Sequence, residues 1–217
     1  MTSEVFYYIL RIPIVLLSLS VHEVAHGYAA YKFGDPTARN LGRLSLNPLK
    51  HIDPIGALCM LLFGFGWAKP VPINTRYFKK PKSGMALSAL AGPMSNLIMA
   101  FVAFVTRIYI FRFGAAEILT NPNGIVYMLF LFFTEFFYLN ISLAVFNLLP
   151  IPPLDGSRIL FYLLPDKIYF GVMKYEQYIT IAMFAFLWLG WLDAPIYYIR
   201  DIFITAFSFI TQFLPFL

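Results

Sequence analysis

Apolar residues fall in long, nearly charge-free runs separated by short stretches rich in proline and basic residues. The first run covers residues 5–33 and is interrupted by Arg11, Pro13 and the group His22, Glu23 and His26. Gly34-Asp35-Pro36 ends it, because that cluster cannot continue a helix. Residues 85–105 carry no charge, and residues 125–149 form a third run that holds Glu135, Asn140 and Asn147. A helix needs about 20 apolar residues to cross a bilayer, so each of these runs predicts one span. Residues 178–192 and 196–217 predict two more, the first short and the second carrying Arg200 and Asp201.

The stretches between the runs read differently. Arg43-Leu-Ser-Leu46 alternates like a short strand, and Pro48, Pro54, Pro70, Pro72 and Pro81 exclude one long helix there. Residues 54–67 are apolar but too few to span about 30 Å, which predicts a re-entrant or interfacial segment. Residues 107–124 read as a polar connection ending in the turn signal Asn121-Pro-Asn-Gly124. Pro150, Pro152 and Pro153 stop the third run, and Asp155-Gly-Ser157 opens a short apolar segment at 158–164. The expected fold is an all-α polytopic membrane protein of about five transmembrane helices, forming one domain over residues 1–217. A re-entrant or short β-strand region follows the first helix.

Composition agrees with this pattern. The 217 residues are 60% hydrophobic and only 12% charged, where a soluble chain carries about a quarter charged residues. The net charge of +5 does not mark a nucleic-acid binder, because the basic residues sit in loops rather than along one stripe. Their distribution sets an expected orientation. Lys32 to Lys82 holds nine of the 16 Lys and Arg, and Arg158, Lys167 and Lys174 follow the third run. The other side keeps Arg11, Arg107, Arg112 and Arg200. By the positive-inside rule the 32–82 loop is cytoplasmic, the N-terminus outside and, with five spans, the C-terminus inside. Residues 1–4 lack the basic n-region of a cleavable signal peptide. Cys59 is the only cysteine, which excludes an intrachain disulfide and a thiolate zinc site.

The chemistry concentrates in the first run. His22 and His26 lie one helical turn apart on one face, a spacing at which two neutral imidazoles can hold one Zn²⁺. Glu23 stands beside them, placed to handle the proton of an attacking water. Ionisable groups at this depth cost about 2.5–3.5 kcal/mol each for a central charge, so they need partners. Catalytic zinc takes three protein ligands, and Asp155, His51, Glu135 and Asp53 are the candidates for the third. At 1.5 Å per residue His22 lies about 26 Å from the outer face and Glu135 only about 15 Å. Asn147 lies about 33 Å deep, and Asp155 emerges just beyond it at the level of the histidines. Asp155 can equally serve as the N-cap of the segment that follows it. His51, between Lys50 and Asp53, fits a hydrogen-bonded structural histidine or, less often, a metal or proton-relay group.

Several strings together resemble the site-2 protease family of intramembrane zinc metalloproteases. They are His22-Glu-x-x-His26, Ala91-Gly-Pro-x-Ser-Asn96 and Phe146-Asn-Leu-Leu-Pro-Ile-Pro-Pro-Leu-Asp-Gly156. Asn47-Pro-Leu-Lys-His-Ile-Asp-Pro-Ile-Gly56 and Gly66-Trp-Ala-Lys-Pro-Val-Pro-Ile-Asn74 resemble its compact members. The resemblance implies a three-helix catalytic core, one Zn²⁺ on His22, His26 and Asp155, and Glu23 as the catalytic carboxylate. It implies that Asn147 faces the active site and that residues 43–46 and 71–74 pair with an unwound transmembrane protein substrate. The chain leaves no room for a PDZ or CBS domain, and Ser157 stands where many relatives have a second glycine. The expected function is hydrolysis of peptide bonds in membrane-embedded proteins, with the active site towards the cytoplasmic side. A metal-ion or proton transporter using the same His, Glu and Asp is the rival, and a proteolytically inactive binding module the third reading.

Overall fold

The computed structural model describes residues 3–56 and 68–213. Three long helices make the body: α1 (Ser3–Lys32), α3 (Pro81–Thr120) and α4 (Ile125–Leu148), with the short α2 (Thr37–Asn40) after α1. Four more helices follow: α5 (Asp155–Leu163), α6 (Asp166–Met173), α7 (Glu176–Trp188) and α8 (Asp193–Thr211). Their shared core joins Ile14 of α1, Leu97, Ala100 and Phe104 of α3, Phe137, Ile141 and Ala144 of α4, and Phe207 of α8. Within lipid, helices gain little from hydrophobic transfer, so close packing through small residues matters more. Ala100 and Ala144, both fully buried, supply that close approach.

The span count differs from the expected five. Among the described residues three helices are long and apolar enough to cross a membrane, or up to four if α7 and α8 act as one broken span. Those two helices bend by 82° at their junction, where Gly190 takes φ +72°. Two apolar runs therefore need not mean two crossings. The polar connection expected over 107–124 is also corrected, because α3 continues through it to Thr120. At 1.5 Å per residue its 40 residues run about 60 Å, twice the hydrocarbon thickness. Charge marks where the bilayer's apolar layer stops, and helix propensity is indifferent to that boundary. Arg107 is accommodated over the rings of Phe104, Phe137 and Tyr138, at 4.7–5.7 Å from their centroids. Arg11 of α1 meets Glu135 of α4 at 2.9 Å, which gives each charge in these apolar runs a partner.

No strand forms among the described residues; the loop after α1 holds one isolated antiparallel bridge, Ile52 to Ala68. Prolines explain the missing ladder, since Pro48, Pro70 and Pro72 remove donors that a sheet would need. Side chains organise the loop instead. Gly34 takes φ +110°, a region glycine tolerates without penalty, and turns the chain so that Asp35 is fully buried. Asp35 accepts hydrogen bonds from the Thr37 N–H at 2.9 Å and from the Asn74 N–H at 2.6 Å. Arg43 donates to the carbonyls of Lys69 and Pro70. Most of the re-entrant segment expected over 54–67 lies outside the described residues.

Ala144→Leu adds volume where α1, α3 and α4 meet. It is expected to cost about 1–3 kcal/mol, read as a lower melting temperature in detergent. Ile98→Ala, on a surface 62% exposed, is expected to leave the melting temperature unchanged. Equal losses in both would place the packing contact elsewhere.

Candidate metal centre

α1 delivers His22 and His26 from successive turns, and both are buried. They press against α3 at Gly92: a Cβ there would come within 2.7 Å of His22 Cε1 and closer still to the His26 ring. Only glycine leaves that space. Asp155 arrives from the other end of the chain, as the first residue of α5 after the proline stop. Leu154 occupies the N-cap position, so Asp155 stands one residue inside it, which corrects the N-cap alternative. Gly156 follows it because a Cβ would collide with the backbone of Leu148 and Leu149. Three donor atoms thereby converge. His22 Nε2 and His26 Nε2 are 2.9 Å apart, and Asp155 Oδ2 lies 3.3 Å and 3.1 Å from them.

The far nitrogens decide what the near ones can do. His26 Nδ1 sits 2.7 Å from the Ser88 carbonyl, which can only accept, so Nδ1 carries the hydrogen and Nε2 offers a lone pair. His22 Nδ1 lies 2.5 Å from Asn96 Oδ1. The Asn96 amide nitrogen donates to Asn140 Oδ1 at 2.8 Å. The Asn140 amide nitrogen donates to Ser18 Oγ at 2.9 Å and to the Phe136 carbonyl at 2.8 Å. This chain fixes each amide's orientation and makes His22 Nδ1 the donor. Two lone pairs and a carboxylate then face one another at about 3 Å, an arrangement that repels unless a cation lies among them. Two imidazole nitrogens and one carboxylate oxygen also match the ligand set of a catalytic zinc site.

Glu23 belongs to the same stretch but not to the converging atoms. Its Oε2 accepts the Val71 N–H at 2.8 Å. Gly27 makes that contact reachable, since a Cβ there would strike Leu44 and Val71. The other sequence candidates fall elsewhere. His51 is buried with Nε2 bonded to the Ser45 carbonyl at 2.7 Å, and Lys69 N–H reaches its own carbonyl, so it organises the loop. Asp53 accepts from the N–H groups of Ile55 and Gly56. Glu135 is committed to Arg11. Asn147 donates to Leu143 of its own helix at 2.9 Å and is not among the converging groups. Ser18, Ser88, Asn96 and Asn140 were not identifiable as histidine supports from spacing. For Ser18, Asn96 and Asn140 the one signal was polar character inside apolar runs, where such groups need partners; Ser88 acts through its backbone carbonyl, which carries no sequence signal.

Groups behind a metal-binding histidine typically change metal affinity 10–100-fold when removed. Asn96→Ala is expected to weaken zinc binding by about that factor, measured by chelator competition on folded protein. Unchanged affinity would mean that the Asn96 contact does not orient His22.

Three comparisons bear on what this geometry belongs to. YwhC of Bacillus subtilis (strain 168), named as a candidate zinc metalloprotease, is 44% identical over 164 residues, covering 76% of this chain and 73% of YwhC. Rip2 of Mycolicibacterium smegmatis (strain ATCC 700084 / mc(2)155), likewise named, is 32% identical over 160 residues, 71% of this chain and 57% of Rip2. Zinc metalloprotease MJ0392 of Methanocaldococcus jannaschii is 28% identical over 174 residues, 80% of this chain and 39% of its own length. No solved structure matches. Residues 11–190 match the model of peptidase family M50, and the chain belongs to that family.

Proposed function

We propose that this multi-pass membrane protein is a zinc metalloprotease of the site-2 type, cutting peptide bonds of membrane-embedded protein substrates. The convergence of His22, His26 and Asp155 beside an uncoordinated Glu23 is the observation that carries this reading. In it, His22 Nε2, His26 Nε2 and Asp155 Oδ2 hold the metal. Zinc in that position supplies Lewis acidity, polarising a carbonyl and lowering the pKa of water. Glu23 takes the proton of the attacking water and returns it to the leaving amine. Val71 holds Oε2, and in this reading Oε1 takes the proton. Asn96 and Ser88 keep both imidazoles in the ligating tautomer throughout. A transmembrane substrate hides its peptide bonds in its own helix and must unwind locally to reach these groups. In the stretch 71–74 the N–H groups of Val71 and Asn74 serve Glu23 and Asp35, so substrate pairing there would use the remaining backbone groups.

The transporter alternative gains nothing from the family match and gives no reason for Glu23 beside the histidine pair. The proposed orientation places the loop after α1, the metal centre and α5 on the cytoplasmic side, because basic residues gather there.

Glu23→Gln separates the chemistry from the metal. The variant is expected to keep one zinc per chain, and cleavage of a model membrane substrate is expected to fall about 10²–10⁴-fold. Asp155→Ala, on the same preparation, is expected to lose the zinc. Wild-type rates in the Glu23→Gln protein would sink the mechanism, and a wild-type protein that never cuts would favour transport.

Orientation is read by thiol labelling in a Cys59→Ser background. A cysteine placed at the exposed Lys79 is expected to react only with reagent admitted to the cytoplasm. Labelling of intact cells by an impermeant reagent would invert the topology.

A further inference from the structure

A cavity of about 720 Å³ opens beside the start of α3, walled by α5 and by the junction of α6 and α7. That is the size of a small-molecule site. Its lining divides by character. Lys80, Lys82 and Arg158 bring three cations against one carboxylate, Glu176. Met85, Phe161, Tyr162 and Met173 supply the apolar part. Lys82 is already engaged with the Leu164 carbonyl at 3.2 Å, and Arg158 lies over Met85 Sδ at 3.7 Å. Position adds the third constraint. Pro81 begins a helix long and apolar enough to cross a membrane, and Lys80 and Lys82 come just before its charge-free stretch at 85–105. On α5 Leu160, Tyr162 and Leu163 are exposed, an apolar surface that meets the cavity lining at Tyr162.

We infer that this cavity binds the phosphate headgroup of an anionic phospholipid, with the start of its acyl chain against Met85 and Phe161. A soluble anion would satisfy Lys80 and Arg158 but leave the apolar lining wet. A neutral lipid would bring no anion to Lys80 and Arg158. Basic pockets beside transmembrane helices at a membrane surface recognise headgroups in this way. Ser157 lines the same cavity two residues after Asp155, so the occupant leans on the helix that begins at the metal centre. The inference rests on α3 crossing the membrane and not on proteolysis.

The test titrates delipidated, detergent-solubilised full-length protein with fluorescent phosphatidylglycerol, and with phosphatidylcholine as the neutral control. Phosphatidylglycerol is expected to bind saturably and more tightly than phosphatidylcholine. Each basic residue near an anionic headgroup is worth about fivefold in affinity, so Lys80→Gln with Arg158→Gln should weaken it about 25-fold. Lys80→Arg with Arg158→Lys should retain it. Met173→Trp, which fills the apolar part without changing charge, should also abolish binding and covers the case in which the double variant misfolds. Equal binding of both lipids, or no effect of either the double variant or Met173→Trp, would overturn the inference. Displacement of the lipid by equimolar inorganic phosphate or by an equimolar acidic peptide would overturn it too. No substrate or catalytic turnover enters this measurement, so its failure would leave the protease reading standing.

Discussion

The metal centre depends on how closely α1 can lie against α3 at Gly92. Two imidazole rings occupy the space that any side chain would fill, and their rear nitrogens hydrogen-bond to the same helix, at Ser88 and Asn96. Helix packing and ligand orientation are thus one contact. Removing the space would separate the helices and disorient the rings together. The third donor is under similar restraint, because Gly156 lets α5 begin directly against the last carbonyls of α4. Two glycines in different helices therefore set how near the three donor atoms can come.

Several polar groups inside the bundle are matched on a different helix. Ser18 on α1, Asn96 on α3 and Asn140 on α4 close a network across all three, and Arg11 and Glu135 join α1 to α4 nearer the other end. Where water is scarce an unmatched amide or carboxylate costs several kcal/mol, so these links specify helix neighbours as well as stabilise them. Apolar contacts alone could tolerate a rotated α1. The asparagine network could not.

The histidine pair and Glu23 were legible because helical spacing is local, and Asp155 could be placed beside them by counting rise along two helices. Their supports were not legible in the same way. Asn96 and Asn140 stand 44 residues apart, and nothing in either neighbourhood names the other as its partner. Hydropathy located α1, α3 and α4 but misjudged where α3 ends, since it reports affinity for lipid and not continuity of a helix. It also divided the C-terminal region into two full crossings, whereas α7 and α8 meet at a sharp bend. The loop after α1 failed as a strand prediction for a different reason: side-chain alternation near Arg43 was present, but the prolines opposite left no regular set of donors.

The separation of partners along the chain has a consequence for biosynthesis. Arg11 and Glu135 are 124 residues apart, and Asn140 follows Ser18 by 122. At 5–20 residues per second, a ribosome needs roughly 6–25 s to supply the partner for Arg11. During that interval α1 carries a guanidinium, a hydroxyl, two imidazoles and a carboxylate, and their partners follow in turn: Val71 for Glu23, α3 for the imidazoles, and α4 for Arg11 and Ser18. Water at the insertion site or the lipid headgroups must serve these groups until α3 and α4 arrive. Among these helices α1 precedes its partners, and these polar groups are all matched only once α4 is in place.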